Sequence, residues 1–204
     1  MKVKLCGLRR PEDIGFVNEF KPDYAGFILS GGFKRSVGYE QFLTLESMLD
    51  RNIRRVGVFV NEPLEIIAEK YADKLDVIQL HGDEDKSYLQ ALKNVVNCNI
   101  WKAVRVKEIS DIENADGYGA DMLLLDAFSP DSYGGTGKTA DYSVIKKAVF
   151  STPFMLAGGL DCDNVENAVR TVSPDGVDIS GGIETDGFKD RDKIRKFMKI
   201  VRSV

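Results

Sequence analysis

The 204-residue chain contains one histidine, one tryptophan, three cysteines and six prolines, and nowhere does it reach 18 consecutive apolar residues. Each scarcity excludes something. A lone His81 cannot build a His-rich metal site. Cys6, Cys98 and Cys162 form no metal-ligand spacing and cannot all pair, which suits a reducing compartment. Without a long apolar run no membrane-spanning helix is expected, and the apolar part of Met1-Lys-Val-Lys-Leu-Cys-Gly is too short for a signal peptide. The expectation is a soluble, cytoplasmic protein with no membrane partner. An excess of positive charge is missing too: 28 lysines and arginines face 32 aspartates and glutamates, which argues against a nucleic-acid partner. Basic residues do gather between Lys189 and Arg202, but Asp190 and Asp192 interrupt them and apolar residues recur at helical spacing, the pattern of a solvated helix face.

What is present is ordinary globular material, with 43% hydrophobic residues and enough length for one core, so residues 1–204 are expected to form a single domain. One two-part unit recurs: a short apolar or β-branched run, a polar or glycine break, then about ten residues at helical spacing. The strands expected are Lys2–Leu5, Tyr24–Leu29, Arg54–Val60, Val77–Leu80, Ile100–Val104, Met122–Leu125, Phe154–Ala157 and Gly176–Ile179. Helices are expected from Pro11, after Pro63 along Leu64, Ile67, Ala68, Tyr71 and Leu75, after a cap at Asp161, and along Ile194, Phe197, Met198 and Val201. Weaker helical patterns fall around residues 40–50, 85–96, 108–116 and 141–149.

Connections this short, with a helix between strands, force parallel pairing through right-handed crossovers. Eight such units close naturally into a (β/α)8 barrel of the TIM type, and the competing open sheet lacks its Gly-x-Gly-x-x-Gly fingerprint after the first strand. A barrel takes its working groups from the C-terminal strand ends. Standing there are Cys6-Gly7, Ser30 to Arg35, Asn61, His81-Gly82, Arg105, Asp126, Gly158-Gly159 and Ser180-Gly181-Gly182, whereas Val58, Leu124 and Leu156 are assigned to the helix-facing side.

The stretch Met122 to Thr139 carries the chemistry. Its apolar run breaks at Asp126 and a glycine-rich loop follows, so a carboxylate stands where a buried strand meets a loop, as a catalyst or as a simple turn former. The loop is a candidate lid. Gly137-Lys138-Thr139 resembles the tail of a nucleotide-binding P-loop, but the glycine required five positions earlier is Ser132. After the seventh and eighth strands stand Gly158-Gly159 and Ser180-Gly181-Gly182, where barrels commonly hold a phosphate on exposed backbone N–H groups, although glycines also simply turn tight corners. Cys6 and Asp126 could flank a ligand as base and acid; on its own, Cys6 fits a small buried hydrophobe better.

Taken together, Lys4-Leu-Cys6-Gly7, Gly26-Phe-Ile with Lys34-Arg35, Val56-Gly-Val-Phe-Val-Asn61, Ile78-Gln-Leu-His81-Gly82, Leu125-Asp126, Gly134-Gly-Thr-Gly-Lys-Thr139, Ala157-Gly-Gly-Leu160 and Val177-Asp178-Ile-Ser180-Gly181 resemble the phosphoribosylanthranilate isomerase family, in order and across the whole chain. The resemblance implies an Amadori rearrangement in tryptophan biosynthesis without metal or organic cofactor, acting on a phosphorylated sugar-anthranilate. It assigns Asp126 as general acid, Cys6 as general base, Arg35 to the anthranilate carboxylate and Asp178 to the substrate's surroundings; His81 matches a motif with a less defined substrate-binding role. Leu29-Ser-Gly-Gly-Phe33 departs from the family pattern, which more often has an aromatic residue and a proline there. The competing functions are a phosphosugar epimerase or synthase, a phosphate-ligand binding protein without turnover, and a P-loop hydrolase. A metal-dependent epimerase would want several histidines at the strand ends, and His81 stands alone. Monomer and homodimer both fit.

Overall fold

The computed structural model of the chain describes residues 1–127 and 141–204. Eight parallel strands pair in chain order and close: β1 Lys2–Cys6, β2 Tyr24–Ile28, β3 Arg54–Phe59, β4 Val77–Leu80, β5 Asn99–Val106, β6 Met122–Ala127, β7 Phe154–Leu156 and β8 Gly176–Ile179. The helices between and after them are α1 Pro11–Phe20, α2 Tyr39–Ser47, α3 Leu64–Lys70, α4 Lys86–Lys93, α5 Ile109–Asp116, α6 Tyr142–Lys147, α7 Val165–Val172 and α8 Arg191–Ser203. This is the TIM-type barrel expected from the repeated unit. No described helix is long and apolar enough to cross a membrane.

Strand pleat divides the apolar residues between two cores. Val3, Leu5, Phe27, Phe59, Ile78, Leu80, Leu123 and Leu125 face outward and pack with helix residues such as Ile14, Phe42, Ile67, Leu89, Ile112, Ile145 and Phe197. The alternate residues fill the barrel. Tyr24, Val56, Val77, Trp101 and Met155 form its lower layer, with the Tyr24 and Trp101 rings edge to face at 4.8 Å. Ala103, Leu124 and Ala157 lie together in a second buried cluster. Val58 and Leu124 therefore face inward, contrary to the sequence assignment: Val58 reaches the cavity wall, and of the three positions Leu156 alone belongs to the outer shell. In strands buried on both faces hydrophobicity carries no phase, so the inward set has to be counted from the chemistry at the strand ends.

The helix starts follow their local chemistry. Pro11 is the first residue of α1, and the Asp13 carboxylate accepts from the backbone N–H groups of Arg9 and Arg10. Asp190 caps α8 by accepting from the N–H groups of Asp192 and Lys193, while Ile194, Phe197, Met198 and Val201 turn inward and leave the helix's basic residues to solvent; Lys189, grouped with them in the sequence, precedes the helix and is buried instead. Asp161 is not the cap of α7. The carboxylate of Asp161 accepts from Asp163 and Asn164 in a preceding turn, and the helix begins one turn later behind Asn164. Absent from the sequence assignment is a hairpin of β9 Glu184–Thr185 and β10 Phe188–Lys189. Asp186 and Gly187 between them both have positive φ (52° and 79°), as a tight hairpin turn of the Asp-Gly kind requires.

Candidate active site

At the C-terminal ends of the strands opens a cavity of about 620 Å³. All ten residues singled out from the sequence line it: Cys6, Arg35, His81, Asp126, Gly158, Gly159, Asp178, Ser180, Gly181 and Gly182. The glycine-rich segment after Asp126, with the candidate lid and the P-loop-like Gly137-Lys138-Thr139, lies outside the described residues.

On one wall, β1 and β8 carry a buried charged group. Lys4 donates from Nζ to Asp178 Oδ2 at 3.0 Å with no exposed side-chain surface of its own. Cys6, two residues further along the same face, is also buried. Burial holds its thiol above the ordinary value and the Asp178 carboxylate pushes the same way, while the Lys4 ammonium opposes them in part.

On β4 and β6, His81 Nε2 lies 3.3 Å from Asp126 Oδ2, while His81 Nδ1 shares a 2.8 Å hydrogen bond with Gln79 Nε2. The first contact has the distance of an ion pair but not the alignment of a hydrogen bond, so His81 Nε2 remains a buried, unsatisfied ring nitrogen. Gln79 Nε2 can only donate, so Nδ1 accepts in this bond. The other Asp126 oxygen accepts from the Ala127 N–H at 2.8 Å.

Arg35 is held by its partner. Nε and Nη2 fork onto both oxygens of Glu184 at 2.7 Å each, and Lys189 Nζ meets the same carboxylate at 2.7 Å. Burial pushes the Glu184 carboxyl up, but the two cations outweigh it and hold the group below its ordinary range. Nη1 takes no part in the fork. Ser180 has its hydroxyl committed to the framework, donating to the Cys6 carbonyl at 3.0 Å and accepting from Lys189 Nζ at 3.3 Å.

Three of the loop glycines, Gly158, Gly159 and Gly182, need to be glycine. Gly158 and Gly159 have φ of 81° and 58°, and a Cβ on Gly158 would lie 2.7 Å from Asp126 Oδ1. A Cβ on Gly182 would fall 2.0 Å from the Leu160 carbonyl oxygen. Gly182→Ala should therefore push the loops after β7 and β8 apart. If they hold a phosphate, KM should rise about tenfold or more, the loss of one charge-assisted hydrogen bond, with a smaller change in kcat; steady-state kinetics with an unchanged KM would contradict the tight fit.

Sequence reasoning passed over Lys4, Gln79, Glu184 and Lys189. For the first two the signal was present, because Lys4 stands two residues before Cys6 and Gln79 two before His81, on the same strand face. Glu184 and Lys189 are brought together by the hairpin, which had not been foreseen.

Fold and mouth together define a (β/α)8-barrel enzyme of the acid–base kind, with a thiol, an imidazole and three carboxylates around one basin. A family description for N-(5'phosphoribosyl)anthranilate (PRA) isomerase matches residues 3–200. The N-(5'-phosphoribosyl)anthranilate isomerase of Thermoanaerobacter sp. (strain X514) is 46% identical over 206 residues, covering 100% of this chain and 99% of its own. Among solved structures, mutually generated monomers of the dimeric phosphoribosylanthranilate isomerase from Thermotoga maritima are similar at TM-score 0.84 and 33% identity with 100% of both chains covered. A phosphoribosylanthranilate isomerase in complex with reduced 1-(o-carboxyphenylamino)-1-deoxyribulose 5-phosphate is similar at TM-score 0.84 and 32% identity, again with 100% of both chains covered. The chain belongs to the phosphoribosylanthranilate isomerase family, the aldose–ketose isomerases of tryptophan biosynthesis.

Proposed function

We propose that in this isomerase Asp126 and Cys6 divide the Amadori rearrangement of N-(5-phosphoribosyl)anthranilate to 1-(2-carboxyphenylamino)-1-deoxyribulose 5-phosphate between them. The observation that carries the reading is that a thiol on β1 and a carboxyl on β6 open into one cavity beside the glycine loops after β7 and β8. Asp126 gives a proton to the furanose ring oxygen as its bond to C1 breaks, leaving a Schiff base between C1 and nitrogen. The Cys6 thiolate then takes the proton from C2, the C–H electrons form the C1–C2 double bond, and the C1–N electrons return to nitrogen. Tautomerisation of the resulting enol yields the ketone at C2.

Backbone N–H groups around Gly158, Gly159, Ser180, Gly181 and Gly182 receive the phosphate, a role that suits loops whose Cβ-free backbone permits close approach. Arg35 meets the anthranilate carboxylate through the donors that Glu184 leaves. Asp178 Oδ1, buried and without a partner, faces the substrate as an acceptor, and His81 steadies the Asp126 carboxyl. The chemistry asks for no metal or organic cofactor. The assembly is monomer or homodimer, the Thermotoga maritima protein being a dimeric one, and mass by light scattering separates the two. Purified protein supplied with freshly generated phosphoribosylanthranilate should abolish the anthranilate-type fluorescence at a rate proportional to enzyme; fluorescence that decays no faster than without protein would refute the reading.

A further inference from the structure

A lysine built into a barrel wall is costly unless its charge is answered on the spot. Lys4 has no exposed surface, and the β1–β8 register sets it directly beside Asp178, whose Oδ2 it meets at 3.0 Å. Strand pleat turns Cys6, two residues further along β1, to the same inner face, so its sulfur and the Lys4 side chain are neighbours there. The neighbouring strand makes room for them. A Cβ on Gly26 would lie 2.9 Å from Cys6 Sγ and 3.0 Å from Lys4 Cε, so the missing side chain on β2 is what lets the two lie side by side.

We propose that Lys4 is a positioning residue for the isomerisation: its ammonium, held by the Asp178 carboxylate on the same inner face as Cys6, favours the thiolate form that proton abstraction at C2 requires. The inference rests on the reading of Cys6 as the base. Burial by itself works against a thiolate, and Asp178 from β8 adds to that opposition. Lys189 from β10 and Arg35 from the loop after β2 also bear on the sulfur, but both are bound to Glu184, which offsets their charge. His81 and Asp126 line the cavity from the ends of β4 and β6, 3.3 Å from each other. Lys4 is thus the cation on the sulfur's own strand face, with one carboxylate to share.

Site-resolved alkylation reads this without turnover. In iodoacetamide the Cys6 thiolate displaces iodide and forms a sulfur–carbon bond, and peptide mass spectrometry separates Cys6 from Cys98 and Cys162, which serve as internal controls. Lys4→Met should move the midpoint of the Cys6 alkylation rate upward by about one pH unit or more, and Asp178→Asn should move it downward, with the two control cysteines unaffected. Opposite signs are the mark of charge, because a merely structural defect would loosen the site the same way in both variants. An unmoved midpoint in Lys4→Met, or shifts of one sign in both, would overturn the proposal. Should Lys4→Met fail to fold, the Lys4→Met, Asp178→Asn double variant removes both charges and leaves burial in command. Its midpoint should lie above that of the unaltered protein, and a value at or below it would be equally fatal. Cys6→Ala with undiminished turnover would instead sink the assignment of the base and leave the alkylation result standing.

Discussion

Cys6→Ala and Asp126→Asn should each lower kcat by about 10²–10⁴-fold, the usual yield of a positioned acid or base, while KM changes by a much smaller factor. Both side chains lie in the cavity wall with little exposed surface, so neither truncation opens a new path for solvent. Phosphate and carboxylate recognition are assigned to other groups, the glycine loops and Arg35, so binding should persist in either variant. Acid and base act on successive steps of one reaction, hence the double variant should lose far less than the product of the single losses. Asp126→Asn keeps the shape and the oxygen that accepts from the Ala127 N–H, which makes it the cleaner of the two tests. A variant of either kind that retained kcat within a few-fold of the unaltered enzyme would remove its residue from the mechanism.

Lys102→Met should destabilise the protein by about 3–5 kcal/mol, because it strands a buried carboxylate. Glu84 and Lys102 have 2% and 7% exposed side chains and lie 2.8 Å apart. Around them the loops after β3 and β4 are stitched together: Glu84 accepts from the Asn61 and Gly82 N–H groups at 2.8 and 2.9 Å, and Lys102 also donates to the Gly82 carbonyl at 2.7 Å. Asn61 adopts a positive φ of 51° within this arrangement, and its Oδ1 accepts from the Asp83 N–H. Without the lysine the carboxylate keeps its backbone donors but loses its counter-charge. Adding Glu84→Gln to Lys102→Met should recover part of the loss, since no charge is then left unanswered. Urea unfolding at neutral pH measures both, and a single variant as stable as the parent would show that water reaches the pair.

Much of the barrel was legible because its units are short and repetitive. Val77–Leu80 and Gly176–Ile179 coincide with β4 and β8, and the remaining strands differ at their ends by one or two residues. The ends of strands were also where the site could be read: a cysteine, an aspartate and two glycine pairs at the C-terminal side of strands one, six, seven and eight converge on one cavity. Less legible was which residues face inward, since Val58 and Leu124 are as apolar as their outward neighbours. Polar residues within the strands would have supplied the missing phase. Lys4 and Gln79 each stand two positions before a mouth residue, and a charged or amide group in an apolar run tolerates the polar interior better than the helix interface. The Arg35, Glu184 and Lys189 cluster was beyond reach, because 149 residues separate Arg35 from Glu184 and a two-residue turn at Asp186-Gly187 brings Lys189 to the same carboxylate. Asp161 misled for a local reason: an aspartate that caps a turn and one that caps a helix look alike until the next turn of backbone is known.

The most direct test of the acid–base assignment is a crystal structure of this protein with reduced 1-(o-carboxyphenylamino)-1-deoxyribulose 5-phosphate bound. The account predicts the phosphate on the backbone of the loops holding Gly158, Gly159, Gly181 and Gly182, with Cys6 Sγ and the Asp126 carboxyl within about 3.5 Å of opposite sides of the sugar chain. A ligand seated with its phosphate elsewhere, or with either side chain out of reach of the reacting carbons, would contradict it.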